Sequence, residues 1–291
     1  MLSGGASALF EVPEISLDEL QTINAHLLKS GCDIKQINTI RKRLSRVKGG
    51  RFAEWCRPAH VESLILSDVV GDPTDMIASG PTIADSSTCA EALAIAEGCR
   101  LPLSPEARSL LNIETPKALP TASVKVIGNV TLLCRAAEEA CRELGYEAHI
   151  LTLSLDGEAC EAGRALAQTL VSYRGHKPAA FIMGGETVVK VTGKGLGGRN
   201  QEFALSAAQC LSGHDGAAVI SVGSDGTDGP TDAAGGYADG DTLKELEEKG
   251  ISAREYLQNN DSYHALKAVG NLIITGATGT NVNDVAIGLI R

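Results

Sequence analysis

The densest concentration of side chains and backbone able to do chemistry lies between residues 193 and 232. Gly193-Lys194-Gly195-Leu196-Gly197-Gly198-Arg199-Asn200 carries closely spaced glycines whose N–H groups can point at an anion, and a helix expected to begin near Asn200 would add its positive end. Arg199 stands at that junction with a forked donor suited to phosphate or carboxylate. Gly193, Gly195 and Gly198 also satisfy G-x-G-x-x-G, a pattern that a plain hairpin turn meets as easily. No G-x-x-x-x-G-K-[ST] occurs, which argues against a P-loop kinase. Downstream, Asp225, Thr227, Asp228, Thr231 and Asp232 share one Gly/Pro-rich loop. Three carboxylates on one loop repel unless a cation or donors offset them, and hard oxygen ligands suit Mg²⁺ bridging phosphates. Asx-turns account for each aspartate singly just as well. The spacing is not that of an EF-hand.

Other polar points are sparser. Asp68 and Asp72 follow a predicted strand, where they serve either chemistry or capping. Glu186 follows Gly184-Gly185 at another strand end. Lys48 and Arg51 flank Gly49-Gly50 and are placed for an anion, whereas Arg41, Lys42, Arg43 and Arg46 read as a solvated helix face. The six histidines have no metal-ligand spacing, although His264 sits in the unusually polar run Asn259-Asn260-Asp261-Ser262-Tyr263-His264. The eight cysteines are scattered without a CxxC pair and read as free thiols of a reducing compartment, hence a cytoplasmic protein.

The elements that must position these groups alternate. Ser16-Leu17-Asp18-Glu19 reads as a capping box, after which Leu20, Ile23 and Leu27 recur at helical spacing. Asp33 can cap a second helix carrying Ile34, Ile37, Ile40, Leu44 and Val47, which runs to Gly49-Gly50. Further helices are predicted at 91–98, 131–144, 158–173, 200–211 and 241–249. Strands are predicted at 63–66, 124–127, 149–153, 179–183, 187–191, 217–222 and 272–275. Such alternation implies an α/β fold with a largely parallel sheet, whose ligands lie beyond the strands' carboxyl ends. The proline cluster Pro102, Pro105, Pro116 and Pro120 marks the domain boundary, giving domains 1–115 and 116–291.

Composition agrees. Hydrophobic residues make up 43% and aromatics only 3%, which disfavours a protein that stacks bases or sugars. A net charge of −10 argues against nucleic-acid binding, and no apolar run approaches membrane-spanning length.

Several longer motifs, in order along the chain, carry a family resemblance. Ser3-Gly4-Gly5-Ala6-Ser7-Ala8-Leu9, Lys48-Gly49-Gly50-Arg51, Ser67-Asp68-Val69-Val70-Gly71-Asp72 and Ile77-Ala78-Ser79-Gly80-Pro81-Thr82 resemble the N-terminal domain of the glycerate 2-kinase family. Gly195-Leu196-Gly197-Gly198-Arg199-Asn200-Gln201-Glu202, Asp228-Gly229-Pro230-Thr231-Asp232-Ala233-Ala234-Gly235 and Thr278-Gly279-Thr280-Asn281-Val282 resemble its C-terminal MOFRL domain. The resemblance implies an incomplete Rossmann-like parallel-sheet N-terminal domain followed by a MOFRL-type α/β domain with a mixed sheet. It implies transfer of phosphate from ATP to glycerate with Mg²⁺ or Mn²⁺, no nucleic-acid or membrane partner, and leaves a homodimer open. On it, Arg199 is the catalytic arginine and Asp68 orients or deprotonates the attacking hydroxyl. Ser3, Gly4, Gly5, Ser7, Lys48 and Arg51 bind the substrate, Gly193, Gly195, Gly197, Gly198, Asp225 and Thr227 the nucleotide, and Asp228 and Asp232 the metal.

Two departures qualify that expectation. Ala6 stands where the family has a third glycine, at a cost of roughly 1 kcal/mol if that position needs a positive φ. Family members also extend further at the N-terminus, where they carry an active-site lysine with no counterpart here. The chain alone is therefore expected to have an unpaired sheet edge and little turnover. The competing functions are an NAD(P)-dependent hydroxypyruvate reductase, from the G-x-G-x-x-G match, and an inactive fragment that acts as a binding module.

Overall fold

The structure, a computed structural model, describes residues 1–3, 5–69 and 71–291 and divides into two compact units, 1–127 and 128–291. The first unit is mostly helical. It contains α1 (Ala6–Leu9), α2 (Leu17–Lys29), α3 (Ile34–Arg43), α4 (Arg51–Trp55), α5 (Cys89–Gly98) and α6 (Pro105–Leu110), with β1 (Val61–Leu66) paired to β2 (Ala122–Gly128). Leu2 adds a parallel bridge to Ile65. Leu9, Leu64, Val124 and Ile127 are exposed. Because β2 pairs with β1, the proline cluster at 102–120 lies inside this unit, and the division falls after Ile127 instead of at 115.

Its core forms where α2, α3, α5 and α6 bury Leu20, Ile23, Leu27, Ile37, Ile40, Ala92, Ala96 and Ala107. The cap of α2 is half of the expected box: Ser16 accepts from Glu19 N, but Glu19 Oε1 reaches away to accept from Ser104 N at 2.9 Å. Full boxes cap α3, through Asp33 and Gln36, and α5, through Thr88 and Glu91. Helix α3 stops at Arg43, short of the predicted end, because residues 44–46 turn to bond with 12–14: Glu14 N donates to the Leu44 carbonyl and Arg46 N to that of Val12.

The basic face of α3 is not solvated as expected. Lys42 and Arg43 are fully buried around Asp85, at 3.1 and 3.7 Å, and Asp85 also accepts from Thr115 Oγ1 at 2.7 Å and Ser87 Oγ at 2.8 Å. Burial alone would raise the Asp85 pKa, but Thr115, Lys42 and Ser87 outweigh it and hold it below the ordinary carboxylate value. The cysteines also depart from the free-thiol expectation, since Cys32 and Cys99 are sulfur-to-sulfur partners, with six others free.

The second unit is a six-stranded mixed sheet of β3 (Glu147–Leu155), β4 (Ala179–Gly185), β5 (Ala217–Gly223), β6 (Gly235–Asp239), β7 (Leu272–Ile273) and β8 (Asp284–Ile290). Strand order is β3-β4-β8-β5-β6-β7, and only β3–β4 is parallel. This is the mixed sheet the resemblance implies, not the largely parallel one the alternation suggests: the central strand β8 and the strand β6, which pairs with β5, carry no local signal, and residues 187–191 form no strand, only a bridge from Val188 to Glu158. Helices α7 (Val130–Glu143), α8 (Ala159–Ser172), α9 (Arg199–Leu211), α10 (Thr242–Glu248), α11 (Ala253–Gln258) and α12 (Ser262–Val269) complete the unit. Along β4, Ala179 and Phe181 pack with α8 and α9 while Ala180 and Ile182 pack with α7. That two-sided burial explains its unbroken apolar sequence. Among the described residues, no helix is long and apolar enough to cross a membrane.

Replacing Asp85 by Asn should cost about 3 kcal/mol or more, since it removes the buried carboxylate between Lys42 and Arg43 and leaves them only the more exposed Asp75 and Glu114, each at 3.4 Å. The native pKa of Asp85 is depressed, so the stability it supplies is present above its unfolded pKa and is lost as pH falls through the native value. Urea denaturation at neutral and acidic pH should show a large gap between wild type and variant that closes in acid; a pH-independent gap would contradict the assignment.

Candidate active site

Helix α9 begins at the end of the glycine loop, as the sequence suggests, but most of the loop's N–H groups do not face an anion. Thr192 N and Gly193 N both donate to Asn260 Oδ1 at 2.8 Å. Lys194 N donates to Asn259 Oδ1 at 3.1 Å, Gly195 N to the Asn259 carbonyl at 2.8 Å and Leu196 N to Asp261 Oδ1 at 3.0 Å. The loop is strapped along the turn between α11 and α12. Its glycines serve close approach: a Cβ on Gly193 would collide with the Asn259 carbonyl, one on Gly195 with Asp261 and one on Gly198 with Asp228. The G-x-G-x-x-G match is therefore not a dinucleotide fingerprint, because no strand runs directly into it and its early donors are occupied.

Arg199, the first residue of α9, is held by two carboxylates. Its Nε and Nη2 donate to Asp284 at 2.5 and 3.1 Å, and Nη1 pairs with Glu186 at 2.5 Å. Burial disfavours the charged guanidinium, but the hydrogen bonds and charge of Asp284, with Glu186 and Asp228, outweigh it and raise its pKa above the ordinary value. The sheet register explains the meeting. Asp284 opens β8 opposite Gly185, the last residue of β4, and Gly223, the last of β5. Antiparallel insertion of β8 thus puts a carboxylate among the carboxyl ends of its neighbours, where Glu186 also lies. Beside them is a cleft of about 670 Å³ with Val188, Val189, Val191 and Pro230 as its apolar wall and Gly195, Gly197, Gly198, Arg199, Glu202 and Asn260 as polar lining. Gly193, Asp225 and Thr227 do not line it.

The aspartate loop works differently from the cation site expected of it. Asp228 is buried and caps α9: Oδ1 accepts from Asn200 N at 3.1 Å, and Oδ2 accepts from Gln201 N and Gln201 Nε2, both at 2.9 Å. Burial raises its pKa against those bonds. Asp225 makes an Asx-turn with Thr227 N at 2.8 Å, and exposed Asp232 accepts from Tyr263 Oη at 2.8 Å. The described residues contain no cluster of three or more histidine, cysteine or acidic groups able to hold a metal. With their oxygens taken by Asn200, Gln201 and Tyr263, Asp228 and Asp232 do not fit a resident cation.

In the first unit, Ser3, Gly5, Ser7 and Asp68 line one cavity of about 250 Å³, together with Asn38 and Arg41. Gly4 lies outside the described residues. Lys48 and Arg51 do not line it. Lys48 is buried, and its Nζ donates to the carbonyls of Ser7 (2.7 Å) and Phe10 (3.2 Å) and pairs with Glu11 at 3.5 Å. Burial, opposed by Glu11, pulls its pKa down. Arg51 Nη1 donates to the Ser45 carbonyl at 2.9 Å and to that of Arg43 at 3.4 Å. Both cations pin backbone. Ala6 carries no penalty, because it is the first residue of α1 and the positive φ falls on Gly5. Strain begins at the cavity-lining Ala78: Ala78 and Ser79 precede Gly80 in the left-handed region, at φ 55°, 59° and 62°.

Three residues of these sites were missed. Asp284 sits on an unpredicted strand. Arg41 reads from its sequence neighbours as part of a solvated face. Asn260, at φ 53°, uses its whole amide, accepting from two loop N–H groups and donating to the Lys190 carbonyl and Glu202 Oε2, each at 3.2 Å. The polar run at 259–264 was the available signal for it.

The first 112 residues match the model of a domain of unknown function (DUF4147), and residues 179–284 match the MOFRL family. Across its whole length the chain is 54% identical to the D-glycerate 2-kinase of Thermotoga maritima, of which it covers 71%. It is 42% identical to the glycerate 2-kinase of Pyrococcus horikoshii, of which it covers 70%. The crystal structure of a glycerate kinase from Thermotoga maritima superposes with a TM-score of 0.96 at 53% identity, over 100% of this chain and 72% of that one.

Asn260→Ala should destabilise the second unit by about 1–3 kcal/mol by leaving its partners unsatisfied. Protease cleavage near residues 192–196 should quicken with it, and unchanged cleavage would dismiss the strap. Glu202 offers a pH test. Burial, with Glu158 and Asp228 in support and Asn260 opposed, raises its pKa, so stability falls as pH rises from the unfolded value through the native one. Glu202→Gln should therefore melt higher than wild type at neutral pH, with the difference vanishing in acid. A gap of the same size at both pH values would count against it.

Proposed function

The chain belongs to the glycerate 2-kinase family, and we propose that it transfers the terminal phosphoryl group of ATP to the 2-hydroxyl of D-glycerate, giving 2-phosphoglycerate. The observation that carries this reading is the anchored Arg199 in the lining of a cleft that has both apolar and polar residues. The apolar wall suits a nucleoside, and the end at Gly197, Gly198 and Arg199 suits its phosphates. A guanidinium already fixed by Asp284 needs no reorganisation to neutralise charge on the transferring phosphoryl oxygens. Glu186, half exposed, is the partner an incoming phosphate would displace. The divalent cation enters as part of the substrate, MgATP, which agrees with the lack of a protein cage among the described residues. Glycerate occupies the first-unit cavity, where Asp68 orients its hydroxyl. We place the reaction in the cytoplasm, and a homodimer remains compatible with it.

An assay coupling ADP release to detection of 2-phosphoglycerate tests the reading directly. Product formation should require D-glycerate and MgATP, whereas NADH or NADPH oxidation with hydroxypyruvate in its place would overturn it. Arg199→Lys should lower turnover about 10²–10³-fold, because an ammonium cannot hold Asp284 bidentately and still meet a phosphoryl oxygen. Nucleotide affinity, read by equilibrium titration, should change far less. Equal losses in both would make Arg199 a binding residue only.

A further inference from the structure

The first-unit cavity contains hydroxyls and a carboxylate from the expected set but neither of the cations expected there. Lys48 and Arg51 are committed to backbone carbonyls of residues 7, 10, 43 and 45. A small 2-hydroxy acid bound beside Asp68 would bring a second negative charge into a half-enclosed space, and without a cation that is costly. One cation does line the cavity. Arg41, half-buried on the last turn of α3, is oriented through Nε, which donates to Asn24 Oδ1 at 2.7 Å. That bond fixes the plane of the guanidinium and leaves both terminal nitrogens without a protein partner among the described residues. Burial is the main influence on Arg41 and lowers its pKa, with Glu11 opposing, as for a cation held ready for an anionic ligand.

We propose that Arg41 is the specificity-determining residue for the acceptor, binding the carboxylate of the 2-hydroxy acid through its two terminal nitrogens. This rests on the reading of the chain as a glycerate kinase and adds the group that distinguishes glycerate from an uncharged polyol. The chemistry of the lining divides the labour: Arg41 suits the carboxylate, and Asp68 with Ser3 and Ser7 is left for the hydroxyls. A fork fixed at Nε suits the two parallel bonds a carboxylate accepts.

The test uses the full chain. D-glycerate affinity by calorimetry and KM by the coupled assay would be compared for wild type, Arg41→Met, Arg41→Lys and Arg46→Met, a control at the exposed neighbouring cation that pairs with Glu14. Arg41→Met should weaken glycerate binding and raise its KM tenfold or more, with kcat and the KM for MgATP little changed. Arg41→Lys should recover part of the loss, and Arg46→Met should match wild type. Competition by glycerol, which lacks the carboxylate, should be equal in wild type and Arg41→Met. Folding of each variant is checked by its melting profile, and Arg41→Lys carries the test if the methionine variant fails to fold. A wild-type glycerate KM in folded Arg41 variants overturns this proposal and leaves the kinase reading intact. Absence of any carboxylate binding by wild type also overturns it. Arg41-dependent binding of lactate or glycerate without phosphorylation supports the carboxylate site and removes the kinase reading instead.

Discussion

The architecture around the second unit's cleft depends on one ion pair, Arg199 with Asp284. A guanidinium at the start of a helix, beside its positive end, is poorly placed electrostatically unless carboxylates face it. Asp284 supplies two of the three bonds and is itself buried, so neither partner can wander without leaving the other uncompensated. That pair depends on β8 running antiparallel between β4 and β5, in a register that sets Asp284 opposite Gly185 and Gly223 at their carboxyl ends. Helix start, sheet order and register are thus tied to the position of a single side chain.

A second theme is how much charge is used to hold backbone and packing. Asp228 ties the first turn of α9, Lys48 ties the end of α1 to the chain that follows it, and Asp85 anchors the inner face of α3. Each looks like a binding group when only its residue type and neighbours are known. Each is saturated by the protein once folded. The charged groups that line the two cavities, Arg41 and Asp68 in one and Glu186, Arg199 and Glu202 in the other, can face them because the buried charges fix the elements that carry them.

That pattern accounts for what could be read from the residues alone. Amphipathic helices such as α2, α7 and α8, and buried strands such as β4, declare themselves through periodicity, which is a local property. The position of Arg199 at the head of α9 followed from glycines giving way to a helical pattern. Legibility failed where partners are distant in sequence. Nothing local to Asp284 says that β8 inserts between two earlier strands, and its Asn-rich approach hides the strand start. Lys42 and Arg43 read as solvated because Asp85, Ser87 and Thr115 lie far along the chain. Asp225 and Asp228 are equally acidic and three residues apart, yet one makes a surface turn and the other a buried cap; only the direction of the backbone separates them.

The placement of β8 has a consequence for how this unit is assembled in time. Strands β4 and β5 are not hydrogen-bonded to each other; each pairs with β8, the later strand in the sequence, on its inner edge. While the chain is being made or is refolding, both of those edges stand open, and β4 is apolar on both faces. The contact that closes them spans a long loop and therefore carries a large entropic cost before it is rewarded. The sheet can be nucleated early by β3 and β4, but its two halves can only be welded late. The interval between those events is when the molecule is most prone to pair with its neighbours and has most need of a holding chaperone.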